Sequence, residues 1–169
     1  MDVEREVKHT IISICLALFI AIFGYTLIQS ATSFHEFFHG ILLTLIGCKP
    51  VSGAQIFSGA TSWENCELTD LQWQVIALAG PLGSFFLGLF LWYKGGENSI
   101  LRFVALSLML YSTLPSLYPD LPNSDMWVAI QHGFNKGVGY LLWILASGIS
   151  FHAILDEILD REILKNLRI

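Results

Sequence analysis

Two histidines and a glutamate, His35, Glu36 and His39, stand within "SATSFHEFFHGILL" at residues 30–43, one of the most apolar runs in the chain. Their order is HExxH. On a helix, residues four apart lie on one face, so both imidazoles can reach one metal ion. Zinc suits two neutral imidazoles and a carboxylate, with a fourth position left for water. Zinc lowers the pKa of such a water from about 15.7 towards about 7. Glu36, next to the first ligand, is placed to take that proton and later to return it. The alternative is a chance pattern whose histidines are hydrogen-bonded inside a helical bundle. Burying three such groups in apolar surroundings is costly unless they have a task, which favours the metal.

Zinc then requires a third protein ligand, and ionisable candidates near the apolar stretches are few. Asp120 and Asp125 stand in "LPSLYPDLPNSDMW", His132 follows in what reads as a loop, His152 comes late in the last apolar stretch, and His9 precedes the first. Lone histidines of this kind are more often hydrogen-bonded structural residues. The three cysteines, Cys15, Cys48 and Cys66, form no CxxC pair and no metal signature. Cys48 and Cys66 bracket one loop and could join if it faces an oxidising compartment, but unpaired thiols are the expectation.

The elements that carry these residues follow from hydropathy. Of 169 residues, 54% are hydrophobic and 14% charged, against about 25% charged in soluble domains. From Thr10 to Gly47 the one charged residue is Glu36. Apolar spans are expected at about 10–47, 71–93, 100–118 and 138–155, each able or nearly able to cross a hydrocarbon core of about 30 Å. The first run, 38 residues, would be about 57 Å long as a straight helix. It reads as one long helix because no Pro or Gly marks a break near Ser30–Ser33. A break there would make five spans instead of four. The net acidic start and the length of the run argue against a cleaved signal peptide, and a formal net charge of −5 argues against nucleic acid.

With four spans, Arg5, Lys8, Lys94, Arg102, Arg161, Lys165 and Arg168 share one side, against Lys49 and Lys136. Seven to two favours a cytoplasmic N-terminus; five spans would leave the sides nearly balanced. Between the first two spans, Val51–Phe57 and Ala60–Trp63 could pair as short strands, an edge to which an extended peptide could add, or form an ordinary loop. In the second span, small residues four apart (Gly80/Ser84, Ala79/Gly83) permit close helix approach, and Pro81 bends the helix. Three prolines at 115–122 exclude regular helix, and irregular backbone near membrane depth must be buried in protein or line a wet cavity. The tail 156–169 reads as an amphipathic helix that anchors to the interface, with self-association as the alternative.

HExxH in one span, "AGPLGSF" in the next and a Pro-x-x-Pro segment leading to an aspartate resemble the site-2 protease family of intramembrane zinc metalloproteases. The motifs fall in that family's order and spacing over roughly residues 20–130. The family pattern runs Asn-x-x-Pro and then Asp-Gly, the aspartate being the third zinc ligand. Here Pro119 and Pro122 match the prolines, and Ser116 stands where the asparagine is expected. Asp125 matches the aspartate after one extra residue, Met126 replaces the glycine, and Phe38 replaces the small residue before the second histidine. The resemblance implies zinc held by His35, His39 and Asp125, with Asp120 as the alternative ligand. It implies Glu36 as catalytic base, and Ser116 or Asn123 in place of the asparagine that holds the substrate or the developing oxyanion.

The expectation is therefore a single-domain, all-α integral membrane protein with a short strand-like loop near the site. Its activity would be zinc-dependent hydrolysis of a peptide bond in or near a transmembrane segment of a membrane-protein substrate. The alternative is a catalytically silent zinc-binding relative that binds or regulates membrane helices. A zinc transporter is disfavoured, since no further His- or Asp-rich relay crosses the spans.

Overall fold

A computed structural model describes residues 2–50, 63–64 and 66–166. Its first element, α1, runs unbroken from Asp2 to Ile46. Ser30, Thr32 and Ser33, at the place where a break was conceivable, turn their hydroxyls back onto carbonyls four residues earlier, each at 2.9 Å. Such back-bonding satisfies a hydroxyl within apolar surroundings without opening the helix. Gly47, at φ +92, ends α1, with its N–H donated to the Thr44 carbonyl and that of Cys48 to the Leu43 carbonyl.

Next, Lys49–Pro50 (β1) pairs antiparallel with Trp63–Glu64 (β2). The strands expected at Val51–Phe57 and Ala60–Trp63 lie, apart from Trp63, outside the described residues. A disulfide joins Cys48 to Cys66, with Cα atoms 5.4 Å apart. This corrects the expectation of unpaired thiols. Lys49–Pro50 and Trp63–Glu64 pair beside the two cysteines, a closeness that sequence separation alone does not reveal.

The next helix, α2 (Asp70–Gly95), starts at a Thr69–Gln72 capping box and lies at the centre of the molecule, packed on its neighbours α1, α3 and α4. Helix α3 (Ser99–Tyr111), capped by Asn98, passes into a π-helical turn at Ser112–Ser116. There Leu117 donates to the Ser112 carbonyl, five residues back, at 3.1 Å. Pro115 has no N–H to continue the α pattern, so the ladder shifts register. A short α4 (Asp125–Gln131) and a long α5 (Lys136–Asn166) complete the chain. The core joins Phe85, Met109, Leu117, Met126, Ala146 and Ala153.

Among the described residues, helices at Asp70–Gly95, Ser99–Ser116 and Lys136–Leu159 are long and apolar enough to cross a membrane. Large apolar side chains on their outer faces, such as Phe86, Ile144 and Phe151, are more than half exposed. An apolar surface of that extent is unfavourable in water and suited to lipid. This is the architecture of a helical membrane protein.

Candidate metal centre

His35 and His39 lie one turn apart on α1 and are 3% and 7% exposed. Nδ1 of His39 donates to the Ile76 carbonyl of α2 at 2.7 Å. A carbonyl only accepts, so the proton is on Nδ1 and Nε2 presents its lone pair. That Nε2 is 3.0 Å from His35 Nε2 and 3.3 Å from Asp125 Oδ1, while Asp125 Oδ2 is 2.9 Å from His35 Nε2. Zinc with tetrahedral ligands about 2.0–2.1 Å away spaces those ligand atoms about 3.3 Å apart. The three residues thus meet the size and donor requirements of such an ion. Two imidazole nitrogens and a carboxylate this close require positive charge between them, which a proton or a metal ion supplies.

Asp125 reaches this position through its local structure. Asn123 takes the left-handed conformation at φ 65, which asparagine tolerates better than most residues. Ser124 then uses one hydroxyl twice: it accepts from Trp127 N–H at 3.1 Å as the cap of α4 and donates to the Tyr118 carbonyl at 2.9 Å. The cap fixes Asp125 as the first residue of α4.

The neighbouring helix makes room by lacking a side chain. A Cβ placed on Gly80 would stand 2.3 Å from His39 Nε2 and 2.7 Å from His35 Nε2, inside van der Waals contact with both ligand atoms. One turn along, a Cβ on Gly83 would strike the Phe38 ring at 2.3 Å. Pro81 offers no N–H to the Ala77 carbonyl, which loosens the turn next to the carbonyl that holds His39. Tyr111, at the end of α3, packs edge-on against the His35 ring with centroids 5.7 Å apart. His35 Nδ1 is buried with no hydrogen-bond partner among the described residues.

Glu36 follows His35 and is part-buried; its charge acts on the His39 imidazole. The alternative ligand Asp120 is not brought to the site. It is exposed and bonded to Lys136 Nζ at 2.6 Å and to the Tyr140 hydroxyl, which keep its carboxyl below the usual range. Ser116 is buried in the π-helical turn, and Asn123 is exposed. His132 bonds Asp70 at 3.0 Å and stacks on Trp73. His152 is exposed on α5, and the side chain of His9 lies outside the described ones.

Ile76, Gly80 and Tyr111 are the neighbours that sequence reasoning did not assign to the site. Gly80 had a signal in "AGPLGSF", read there as close helix packing and as a motif of the resemblance, without a place before the histidines. An ordinary isoleucine whose carbonyl does the work carries none. No family model, curated protein or solved structure matches the chain.

Proposed function

We propose that the protein is an intramembrane zinc endopeptidase, similar to the site-2 protease family, that hydrolyses a peptide bond in or near a transmembrane segment. The observation that carries the reading is the convergence of His35, His39 and Asp125. These residues lie at positions 35, 39 and 125 of the chain and come together where α1 and α4 both pack on α2. The resemblance in sequence named the same three. In this reading α1 is a fourth span, which puts the centre within the bilayer.

Zinc, when bound by the three, supplies Lewis acidity that makes a water a nucleophile at neutral pH. The chain's own residues do the rest. His39 is held in one tautomer by the Ile76 carbonyl, and such outer partners orient ligands and raise their basicity. Gly80 keeps the space before both Nε2 atoms clear. Glu36, adjacent to a ligand and not needed as one, takes the proton as general base and delivers it to the leaving amine. His35 and His39 are buried, which limits competing water.

Asn123 favours a second reading, a silent zinc-binding relative, because its amide is turned out to solvent and into a turn. Glu36 speaks against it, since zinc held for structure alone needs no base. Purified protein reconstituted with a single-span substrate tests both. Zinc content of about one per chain, lost in His39→Ala, together with cleavage that depends on Glu36, is the expected outcome. Zinc without cleavage of any of several substrates supports the silent relative.

A further inference from the structure

His132 stands outside the candidate centre, yet three residues from the first turns of α2 hold it. Asp70, Trp73 and Gln74, three and four residues apart, share one face of that helix. Nδ1 of His132 donates to Asp70 Oδ1 at 3.0 Å. Its ring stacks on Trp73, with centroids 5.0 Å apart and planes 9° off parallel. Its carbonyl accepts from Gln74 Nε2 at 2.6 Å. That carbonyl is available because α4 stops there. Gly133, at φ +92, donates to the Ile130 carbonyl and Phe134 to that of Ala129, the bonding of a Schellman stop. The His132 carbonyl is left to a donor from outside the helix, and α2 provides one.

The three contacts differ in weight. The Asp70 side chain is 80% exposed, and a charged pair so open to water adds little. The Trp73 stack and the Gln74 bond are part-buried, and they carry the hold.

What is held is the far end of the helix that begins with Asp125. From Asp125 to His132 is about 10 Å along a helix axis. A tilt of about 6° would move the Asp125 end by about 1 Å over that length. Functional groups must be kept within about 0.5 Å of their working geometry, so α4 cannot be left to pivot. Ser124 ties its start to the preceding turn through the Tyr118 carbonyl, and His132 ties its end to α2. The same α2 gives His39 the Ile76 carbonyl, so one helix is the common frame for histidine and aspartate. We propose that His132 is a positioning residue: docked on Trp73 and Gln74, it aligns Asp125 with His35 and His39 and so sets how tightly the candidate centre holds its metal. The proposal rests on the metal reading of those three residues and not on peptide cleavage.

Zinc affinity of the purified full chain, measured against a chromophoric chelator, tests it, together with the visible bands of cobalt bound in place of zinc. His132→Ala and Trp73→Leu should each weaken zinc about 3- to 30-fold, the range in which residues without ligand contact act on a distant site. Both should also change the intensity of the cobalt bands, which follows ligand geometry. Trp73→Phe keeps a flat face for the stack and should recover most of the affinity. Glu157→Ala removes a partner of Arg102 and costs stability away from α4; it should keep wild-type affinity and bands. Wild-type affinity in both His132→Ala and Trp73→Leu would overturn the proposal, as would an equal loss in Glu157→Ala. If His132→Ala does not fold, Trp73→Leu against Trp73→Phe decides, and equal affinity in that pair overturns the proposal. A wild-type chain that takes up no zinc would end the metal reading and this one with it. A wild type that binds zinc, weakens as expected in these variants and cuts no substrate would end the peptidase reading alone.

Discussion

At the scale of single residues, the proposed mechanism gives the two carboxylates Glu36 and Asp125 different tasks at one centre. Asp125 supplies oxygens 2.9 and 3.3 Å from the two histidines, whereas Glu36 adds no ligand to a set already complete. Glu36→Gln keeps shape and removes the base, so the variant should fold, retain zinc and cleave about 10²–10⁴-fold more slowly in proteoliposomes. Cleavage at the wild-type rate would refute the mechanism. Asp125→Asn should sharply lower zinc content measured by metal analysis, while Asp120→Asn should leave it unchanged; the opposite result would mean the wrong aspartate has been assigned. HExxH was legible because helical periodicity alone puts its histidines on one face. The choice between Asp120 and Asp125 rested on resemblance, because the contacts that claim Asp120, Lys136 and Tyr140, are 16 and 20 residues away in the chain. Nothing local in the sequence announces them.

At the scale of elements, the close approach of α2 to α1 decides whether a metal can sit between them. Alanine is favoured over glycine inside a helix by about 1 kcal/mol, so Gly80→Ala would ordinarily be stabilising. Here its methyl group would enter the space before His39 and His35 Nε2. The expected result is a folded protein, helical by circular dichroism, that has lost most of its zinc. Gly40→Ala is the control, since a Cβ there meets nothing within 4 Å; it should keep zinc at the wild-type level. Equal retention by both variants would show that the centre lies elsewhere. The helices themselves were legible, since their spans follow from hydropathy and the absence of Pro or Gly at Ser30–Ser33 pointed to one long α1. Pro81 and Pro115 announced irregularity, but its form (a π-helical turn at Ser112–Ser116) depends on which carbonyls neighbouring residues can reach.

At the scale of the whole molecule, the candidate metal centre and the Arg102 cluster occupy opposite ends of the bundle, and they should fail separately. The tail expected as an amphipathic helix is helical and continuous with α5 through Asn166, and its first residues, Asp156 and Glu157, partner Arg102. The Arg102 side chain is 16% exposed and that of Glu157 15%, so this is a largely buried pair. Removing one partner of such a pair leaves an uncompensated charge, at a cost of about 3 kcal/mol. A chain ending at Leu159 keeps both carboxylates and should match the full-length protein in zinc content and in thermal midpoint in detergent micelles. A chain ending at Leu155 loses both. Its midpoint should fall by several degrees, by roughly 2–4 °C per kcal/mol at this size, yet it should still bind about one zinc below that midpoint, because among the described residues the candidate ligands all lie before Leu155. Loss of zinc from the folded shorter chain would show that the far end of α5 supports the centre across the bundle. An unchanged midpoint would show that Arg102 finds another partner among the residues around it.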